Sequence, residues 1–160
     1  MASFDKAIPP GGVGKITLSV HTEGYQGNFR KSARVHGNDP KKKQITLTLM
    51  AFVKVPIYIS PTYVYFKGKE GESVTRMVQI KAGLDKPLTL TPDQFNLEGK
   101  LTYTVEEVEK GRRFIIRFTS IPSPPQTYQG FLNLKTNYPE KPVINIRIRG
   151  RFAKVEKGGG

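Results

Sequence analysis

The sequence predicts an all-β chain organised as a β-sandwich, with one complete domain preceded by part of a second one. Three observations predict this: apolar and polar residues alternate in short segments, turn-forming clusters separate those segments, and one hairpin pattern occurs twice. With 12 Pro, 16 Gly, 7 Tyr and 9 Phe among its 160 residues, the chain is also richer in turn and strand formers than a helical bundle would be.

The alternation has a period of two residues, which is the period of a strand that buries one face. Between Ile16 and Val20, for example, aliphatic residues alternate with Thr17 and Ser19. Segments of this kind recur along the chain, and their apolar positions are Ile16, Leu18 and Val20; Ile45, Leu47 and Leu49; Val64 and Phe66; Val74, Val78 and Ile80; Leu101, Tyr103 and Val105; Phe114, Ile116 and Phe118; Leu132 and Leu134; and Ile144, Ile146 and Ile148.

Turn clusters rich in Gly, Pro and Asn lie between these segments, because such residues adopt the backbone angles that reverse a strand. The clusters are Pro9-Pro10-Gly11-Gly12, Gly37-Asn38-Asp39-Pro40, residues 67–71, Lys110-Gly111, residues 122–125 and Asn137-Tyr138-Pro139. Their spacing, roughly eight to twelve residues, is typical of an immunoglobulin-like sandwich of short strands.

An internal repeat predicts the domain boundaries. Tyr25-Gln26-Gly27, a strand, an Asn38-to-Pro40 turn and a second strand recur as Tyr128-Gln129-Gly130, a strand, an Asn137-to-Pro139 turn and a last strand. Residues 56–154 contain enough strands for a complete seven-strand immunoglobulin-like sandwich. Residues 1–55 contain only about three, the closing strands of a partial unit, and residues 155–160 are expected to be a disordered tail.

The partial unit has a physical consequence. Three strands alone would leave one apolar face in water, which is unfavourable for a sheet. We therefore expect residues 1–55 to pack on the second domain, to pair with another chain, or to be poorly ordered. The expected partners include other protein domains and the opening strands that the first unit lacks.

Composition excludes several classes of site. The chain has no Cys, so it holds no disulfide, thiolate metal site or thiol nucleophile. No apolar run approaches the roughly 18 residues of a membrane span, and the first residues lack the layout of a signal peptide. The formal net charge of +13 favours contact with polyanions in general without selecting one.

The run Ile8-Pro9-Pro10-Gly11-Gly12-Val13-Gly14-Lys15-Ile16, followed by Gly27, Lys31-Ser32, Val35 and Asn38-Asp39-Pro40, resembles a known pattern. It is similar to exported bacterial proteins grouped as a domain of unknown function, related to Hydin-type and major-sperm-protein-type immunoglobulin-like domains. The resemblance implies a sandwich, often in tandem, in a periplasmic or extracellular protein, and it brings no established activity. The repeated Asn and Pro are expected to set hairpin register, with Asn38 and Asn137 bonding their own backbones.

Residues suited to catalysis or to metal binding are few. The densest acidic run, Glu106-Glu107-Val108-Glu109, precedes a turn and is predicted to be a solvated hairpin tip. His21 and His36 could supply at most half of a zinc site. The glycines at 11–14 lead into a strand rather than a helix, which argues against a phosphate-binding loop. The sequence therefore predicts no enzyme, no cofactor and no small-molecule substrate.

Basic residues are the functional signal that remains. Arg147, Arg149 and Arg151 alternate with aliphatic residues, so their guanidinium groups are predicted to share one strand face. Such a ladder can bind phosphate or sulfate groups through paired hydrogen bonds, although a charged, solubilising face is the simpler explanation. The full set of candidate anion-binding residues is Arg147, Arg149 and Arg151; Lys41, Lys42 and Lys43; and Arg112, Arg113 and Arg117.

Two functions from different classes fit these observations. The first is a noncatalytic structural or protein-interaction module of a larger, exported bacterial protein. The second is a polyanion-binding module for acidic polysaccharide, nucleic acid or an anionic lipid surface. The tyrosines at 63, 65, 103 and 138 could add stacking faces for a sugar, or could simply pack on the sheet.

Overall fold

The computed structural model describes residues 1–155, and every regular element in that part of the chain is a β-strand. The predicted all-β fold class is therefore confirmed. The strands are β1 Ala2–Phe4, β2 Ile16–Leu18, β3 Gly27–His36, β4 Gln44–Val53, β5 Ile57–Ser60, β6 Tyr63–Lys69, β7 Thr75–Ala82, β8 Leu90–Phe95, β9 Leu101–Glu109, β10 Arg113–Ser120, β11 Gln126–Thr136 and β12 Val143–Ala153. Nothing helical in residues 1–155 could span a membrane.

The chain divides into two compact units between Lys54 and Val55. Unit 1 contains β1 to β4, and unit 2 contains β5 to β12. The predicted tail at 155–160 lies outside the described residues except for Val155, whose amide donates to Glu70 Oε1 at 2.8 Å.

Unit 2 is a sandwich of two four-stranded sheets. Sheet A has the strand order β5-β7-β10-β9, and sheet B has the order β6-β12-β11-β8. All pairs are antiparallel except β12 with β6, which is parallel. The core lies between the sheets, because alternate residues of facing strands point inward.

Most of the predicted inward positions of unit 2 form this core, whereas Val74, Tyr103 and Val105 are half-buried and pack against it. Ile144, Ile146 and Ile148 of β12 are all 0% exposed, as are Phe66 of β6 and Ile116 of β10. The remaining core side chains come from both sheets and from the connecting loops, and they are Ile57, Val64, Val78, Ile80, Ala82, Leu88, Leu97, Leu101, Phe114, Phe118, Tyr128, Leu132, Leu134, Tyr138 and Phe152.

The strand counts predicted for both units are wrong by one. Unit 2 has eight strands instead of seven, because the segment 57–69 is interrupted at Ser60-Pro61 and its halves join different sheets: β5 pairs with β7, and β6 pairs with β12. Pro61 has no amide hydrogen and so cannot continue the ladder. Unit 1 has four strands instead of three, because Ala2–Phe4, too short to display alternation, pairs with β2.

The turn before β12 is fixed by contacts that the sequence did not predict. Asn137 was expected to bond its own backbone; instead its Nδ2 donates to Pro87 O at 2.9 Å and its Oδ1 accepts from Thr89 N at 2.9 Å. Beside it, the fully buried Tyr138 donates its hydroxyl to Lys86 O. The turn is therefore attached to the loop between β7 and β8.

Unit 1 consists of two antiparallel two-stranded ladders, β1 with β2 and β3 with β4. Within the described residues β3 and β4 pair only with each other, so each retains one free edge. A two-stranded ladder buries little apolar surface, which makes it marginally stable without further packing.

Candidate binding surfaces

The hairpins β3–β4 and β11–β12 can be matched residue by residue. The last pair before the turn is His36 with Gln44 in unit 1 and Lys135 with Val143 in unit 2, and the enclosed turns, 37–43 and 136–142, have equal length. Register therefore matches Ile45, Leu47 and Leu49 of β4 with Ile144, Ile146 and Ile148 of β12.

The structural match differs from the sequence repeat at the start of the hairpin. The sequence aligns Tyr25 with Tyr128, but register places Phe29, opposite Ala51, at the position of Tyr128, opposite Gly150. The turn fixes which residues face each other, so the two Tyr-Gln-Gly segments do not lie at matched positions of the two hairpins. Both matched positions hold a buried aromatic ring above a small residue.

The matched positions differ sharply in burial. Ile45 is 51% exposed, whereas its counterpart Ile144 is 0% exposed; Leu47 and Leu49 are half-buried, whereas Ile146 and Ile148 are fully buried. In unit 2 the hairpin is flanked by β6 and β8 and covered by sheet A. In unit 1 the described residues provide neither flanking strand. We call the side of β3 and β4 that carries Phe29, Ala33, Val35, Ile45, Leu47 and Leu49 the open face.

The β1–β2 ladder and the segment after it cover part of the open face. A cleft of about 340 Å³ lies between them, with walls from Met1, Ala2 and residues 18–21 on one side and from Phe29, Ala33 and Leu49 on the other. Phe29 is buried there, and Tyr25 meets its ring edge-on at 4.9 Å. The end of the hairpin near Ile45 does not contribute to the cleft walls, so the open face is less covered towards the turn.

Asn38 also differs from its counterpart in unit 2. Asn137 bridges a backbone carbonyl and a backbone amide of the β7–β8 loop, whereas the Asn38 side chain makes no hydrogen bond within residues 1–155. The expected backbone bond in the first turn is made by its neighbour instead, because Lys41 N donates to Asp39 Oδ1 at 2.8 Å. The amide of Asn38 thus remains available for a partner.

The predicted arginine ladder is present on the outer side of sheet B. Arg147, Arg149 and Arg151 alternate with buried isoleucines and are exposed, at a spacing of about 6.8 Å along the strand. Register places Tyr63 of β6 beside Arg147 and Tyr65 beside Arg149, and these tyrosines are 45% and 42% exposed. We call these five residues the arginine face.

No carboxylate within the described part of the chain neutralises the arginine face: its three arginines form neither an ion pair nor a hydrogen bond there. Beside it, a row of amides crosses the sheet, with Asn145 Nδ2 donating to Asn133 Oδ1 at 2.6 Å and Asn133 Nδ2 donating to Gln94 Oε1 at 3.3 Å. Sequence reasoning missed these amides, although the alternation on the last strand places Asn145 on the same side as the arginines.

The other predicted cationic groups are separate from this surface. Arg117 and Arg113 lie on β10 of sheet A, in the opposite layer of the sandwich. Arg117 pairs with Glu106 at 3.0 Å, and Arg112 donates to Leu84 O at 2.6 Å, with Asp85 at 3.9 Å. Arg113 is half-buried, with its Nε enclosed.

Lys41, Lys42 and Lys43 are exposed in the turn of unit 1. Of the nine candidate residues, the structure therefore brings only Arg147, Arg149 and Arg151 together with aromatic side chains on one face.

The acidic run has structural contacts. Glu106 is held by Arg117, and Glu107 Oε1 accepts from Gly111 N at 2.6 Å, which stabilises the turn into β10. Residues 106–109 are nevertheless all exposed at the end of β9, so the predicted solvated hairpin tip is confirmed. Residues 1–155 contain no cluster of three His, Cys, Asp or Glu side chains suited to a metal ion.

Two of the four tyrosines suggested for sugar stacking are packing residues. Tyr138 is fully buried, and Tyr103 is half-buried between Phe95, at 4.9 Å, and Phe118, at 6.2 Å. Only Tyr63 and Tyr65 present exposed rings, because their positions on β6 alternate with the inward Val64 and Phe66.

Comparison with known proteins adds no assignment: no protein-family model matches the chain, and no curated protein matches its sequence.

Proposed function

We propose that this chain is a noncatalytic protein-interaction module in which unit 2 is a self-sufficient sandwich and unit 1 offers an unfilled half-sandwich. One observation carries the proposal. The same hairpin occurs twice, and the aliphatic residues that are fully buried in the second copy are exposed or half-buried in the first.

The free energy of burial supports this assignment. Fully burying an aliphatic side chain contributes roughly 1.5–3 kcal/mol, and unit 1 leaves much of this unrealised at Ile45, Leu47 and Leu49. Free strand edges add unpaired backbone groups that readily pair with another chain. A partner that covers the open face would gain both contributions. The resemblance in residues 8–16 supports placing such a module in an exported bacterial protein.

Amide hydrogen exchange tests the proposal. In a sample shown to be monomeric by light scattering, we expect the amides of residues 45–49 to exchange at least about a hundredfold faster than those of residues 144–148, because an incomplete sandwich opens at lower free energy. Protection equal to that of β12 in the monomer would show that unit 1 needs no partner and would overturn the proposal.

A second candidate function is polyanion binding by the arginine face. The specific observation is that three arginines without counter-charges lie beside two exposed tyrosines, an arrangement that combines phosphate or sulfate contacts with stacking.

Heparin chromatography with two charge-matched triple variants tests it. One variant carries Arg147→Gln, Arg149→Gln and Arg151→Gln; the other carries Lys41→Gln, Lys42→Gln and Lys43→Gln. If the arginine face is a site, the first variant elutes at clearly lower salt than the second. Equal shifts, or elution of the unmodified chain below about 0.2 M salt, indicate attraction by net charge alone.

A further inference from the structure

The second copy of the hairpin indicates what kind of segment completes the first. In unit 2 the edge of β12 that faces away from β11 is occupied by β6, which runs parallel to it. The pairs are Ile148 with Val64, Gly150 with Phe66 and Phe152 with Gly68. In unit 1 the matched residues of β4 are Leu49, Ala51 and Val53, and no other strand of the described residues pairs with this edge.

The side chains that β6 contributes have a simple pattern. Val64 and Phe66 point into the core and are 2% and 0% exposed, whereas Tyr63 and Tyr65 point outward. The inward residues cover the aliphatic side chains of β12 from the side. The backbone of β6 forms hydrogen bonds with the backbone groups at the edge of β12. An incoming strand with large apolar residues at alternate positions would do the same for β4.

We propose that β4 accepts a strand of a partner polypeptide along its free edge, parallel to β4 and in the register in which β6 pairs with β12. The partner is a segment with large apolar side chains at alternate positions, and the first of them lies opposite Leu49. This inference rests on the proposed function, and it adds the edge, the direction, the register and the side-chain pattern of the partner.

The partner residue that corresponds to Gly68 is less restricted in side-chain size than Gly68 is in unit 2. Gly68 lies opposite Phe152, and a Cβ at Gly68 would come within 2.8 Å of that ring. The matched residue in unit 1 is the smaller Val53, so the partner strand has room for a side chain there. A suitable segment therefore has apolar residues at two alternate positions and does not require a glycine at the next one, opposite Val53, where a third apolar residue is allowed.

The unpartnered amide of Asn38 provides independent support. Its counterpart Asn137 binds one carbonyl and one amide of the loop that leads into β8, the strand on the other edge of the same sheet. The first turn therefore carries the side chain that holds such a loop, without the loop itself. A partner that supplies neighbouring strands as well as the added one would satisfy Asn38.

The test uses the full chain and a fluorescent synthetic peptide with the sequence of residues 61–69. We expect saturable binding in solution by fluorescence anisotropy. A control peptide with Val64→Ser and Phe66→Ser should bind at least about tenfold more weakly, a factor that corresponds to about 1.4 kcal/mol. Because the control changes only the peptide, this comparison does not depend on the folding of a protein variant.

Two protein variants localise the contact. Leu49→Glu places a charge on the open face opposite the incoming side chains and should weaken peptide binding at least about tenfold. Met50→Glu is the matched control, because Met50 is the next residue on the same strand, points to the other side and is 75% exposed. This variant should bind the peptide within about twofold of the unmodified chain.

A paramagnetic tag on the amino terminus of the peptide determines direction. Parallel pairing brings the peptide's first residues near Thr48, so amide signals around Leu47 and Thr48 should broaden while those around Val53 and Lys54 persist. Broadening at the Val53 end overturns the proposed direction. Binding that is insensitive to the serine substitutions or to Leu49→Glu overturns the site.

The outcomes separate this inference from the proposed function. If the peptide does not bind while residues 45–49 exchange rapidly, strand addition in this mode is wrong and the interaction-module proposal stands. If those amides are as protected in the free monomer as residues 144–148, both are wrong.

Discussion

Truncation of one isoleucine in each copy of the hairpin measures how differently the two units enclose matched side chains. Ile45 and Ile144 occupy matched positions, directly after the pairs that close the two turns, and Ile45 is 51% exposed whereas Ile144 is 0% exposed. Replacing either by Ala removes three carbons, worth about 2.4 kcal/mol at about 0.8 kcal/mol each when fully buried.

At position 144 a cavity between the sheets adds to this loss, so Ile144→Ala should lower the free energy of unfolding of unit 2 by about 3–5 kcal/mol. At position 45 about half of the side chain is already in water and no enclosed cavity forms. Ile45→Ala should therefore lower the stability of unit 1 by about 1 kcal/mol.

Urea titrations followed residue by residue by NMR report each unit through its own amides, which allows the two losses to be measured separately. The losses of the two variants should differ by at least about 2 kcal/mol. Equal losses in a monomeric sample would refute this prediction, because they would mean that unit 1 already encloses Ile45 as tightly as unit 2 encloses Ile144.

Three further predictions concern unit 2. Tyr128→Phe removes a buried hydroxyl that has no hydrogen-bond partner within the described residues. Denaturant unfolding at pH 7 should therefore show a free energy of unfolding that is higher by about 1 kcal/mol. Burial raises the pKa of Tyr128 to about 12, so the folded state holds this proton more tightly than the unfolded state. The free energy of unfolding should therefore fall between pH 10 and 12 by on the order of 2 kcal/mol more in the unmodified chain than in Tyr128→Phe, and parallel pH profiles would contradict this. Gly150→Ala directs a methyl group into the ring of Tyr128 and should lower the melting temperature of unit 2 through a loss of about 1–3 kcal/mol in the free energy of unfolding. An unchanged melting temperature would be evidence against the packing of Tyr128 on Gly150.

The contacts of Asn137 could not be predicted from the sequence, although its position in a turn could. Asn followed closely by Pro is typical of a turn, and local backbone bonding is the usual role of such an Asn. The structure uses the side chain over a distance of 50 residues in sequence, because the β7–β8 loop passes beside the turn and presents a carbonyl and an amide. Single-sequence reasoning identifies turn residues from local chemistry and cannot predict which distant backbone lies next to them.

The arginine face was predictable only in part. The alternation of Arg147, Arg149 and Arg151 with isoleucines fixed their common side, because side chains of a strand alternate by geometry. The neighbouring strand was not predictable, because Tyr63 and Tyr65 are separated from these arginines by most of the sequence of unit 2. They lie beside them only through the parallel pairing of β6 with β12. For the same reason the sequence does not reveal that Arg117, a candidate from a separate cluster, lies on β10 in the sheet opposite β12.

The two hairpins show which part of a fold the alternating pattern determines. Ile45-Leu47-Leu49 and Ile144-Ile146-Ile148 have the same spacing, follow turns of the same length and pair in the same register, so local sequence accounts for the hairpin in both units. Their burial nevertheless differs: the residues of β4 are exposed or half-buried, whereas those of β12 are fully buried. Burial depends on strands that approach from elsewhere in the sequence, which in unit 2 are β6 and β8 at the edges and sheet A across the core. Alternation thus specifies which face must be covered but not what covers it. Under the proposed function, the open face of unit 1 is the surface that a partner covers, and β6, which lies beside the matched residues of β12 in unit 2, gives the side-chain pattern proposed for that partner.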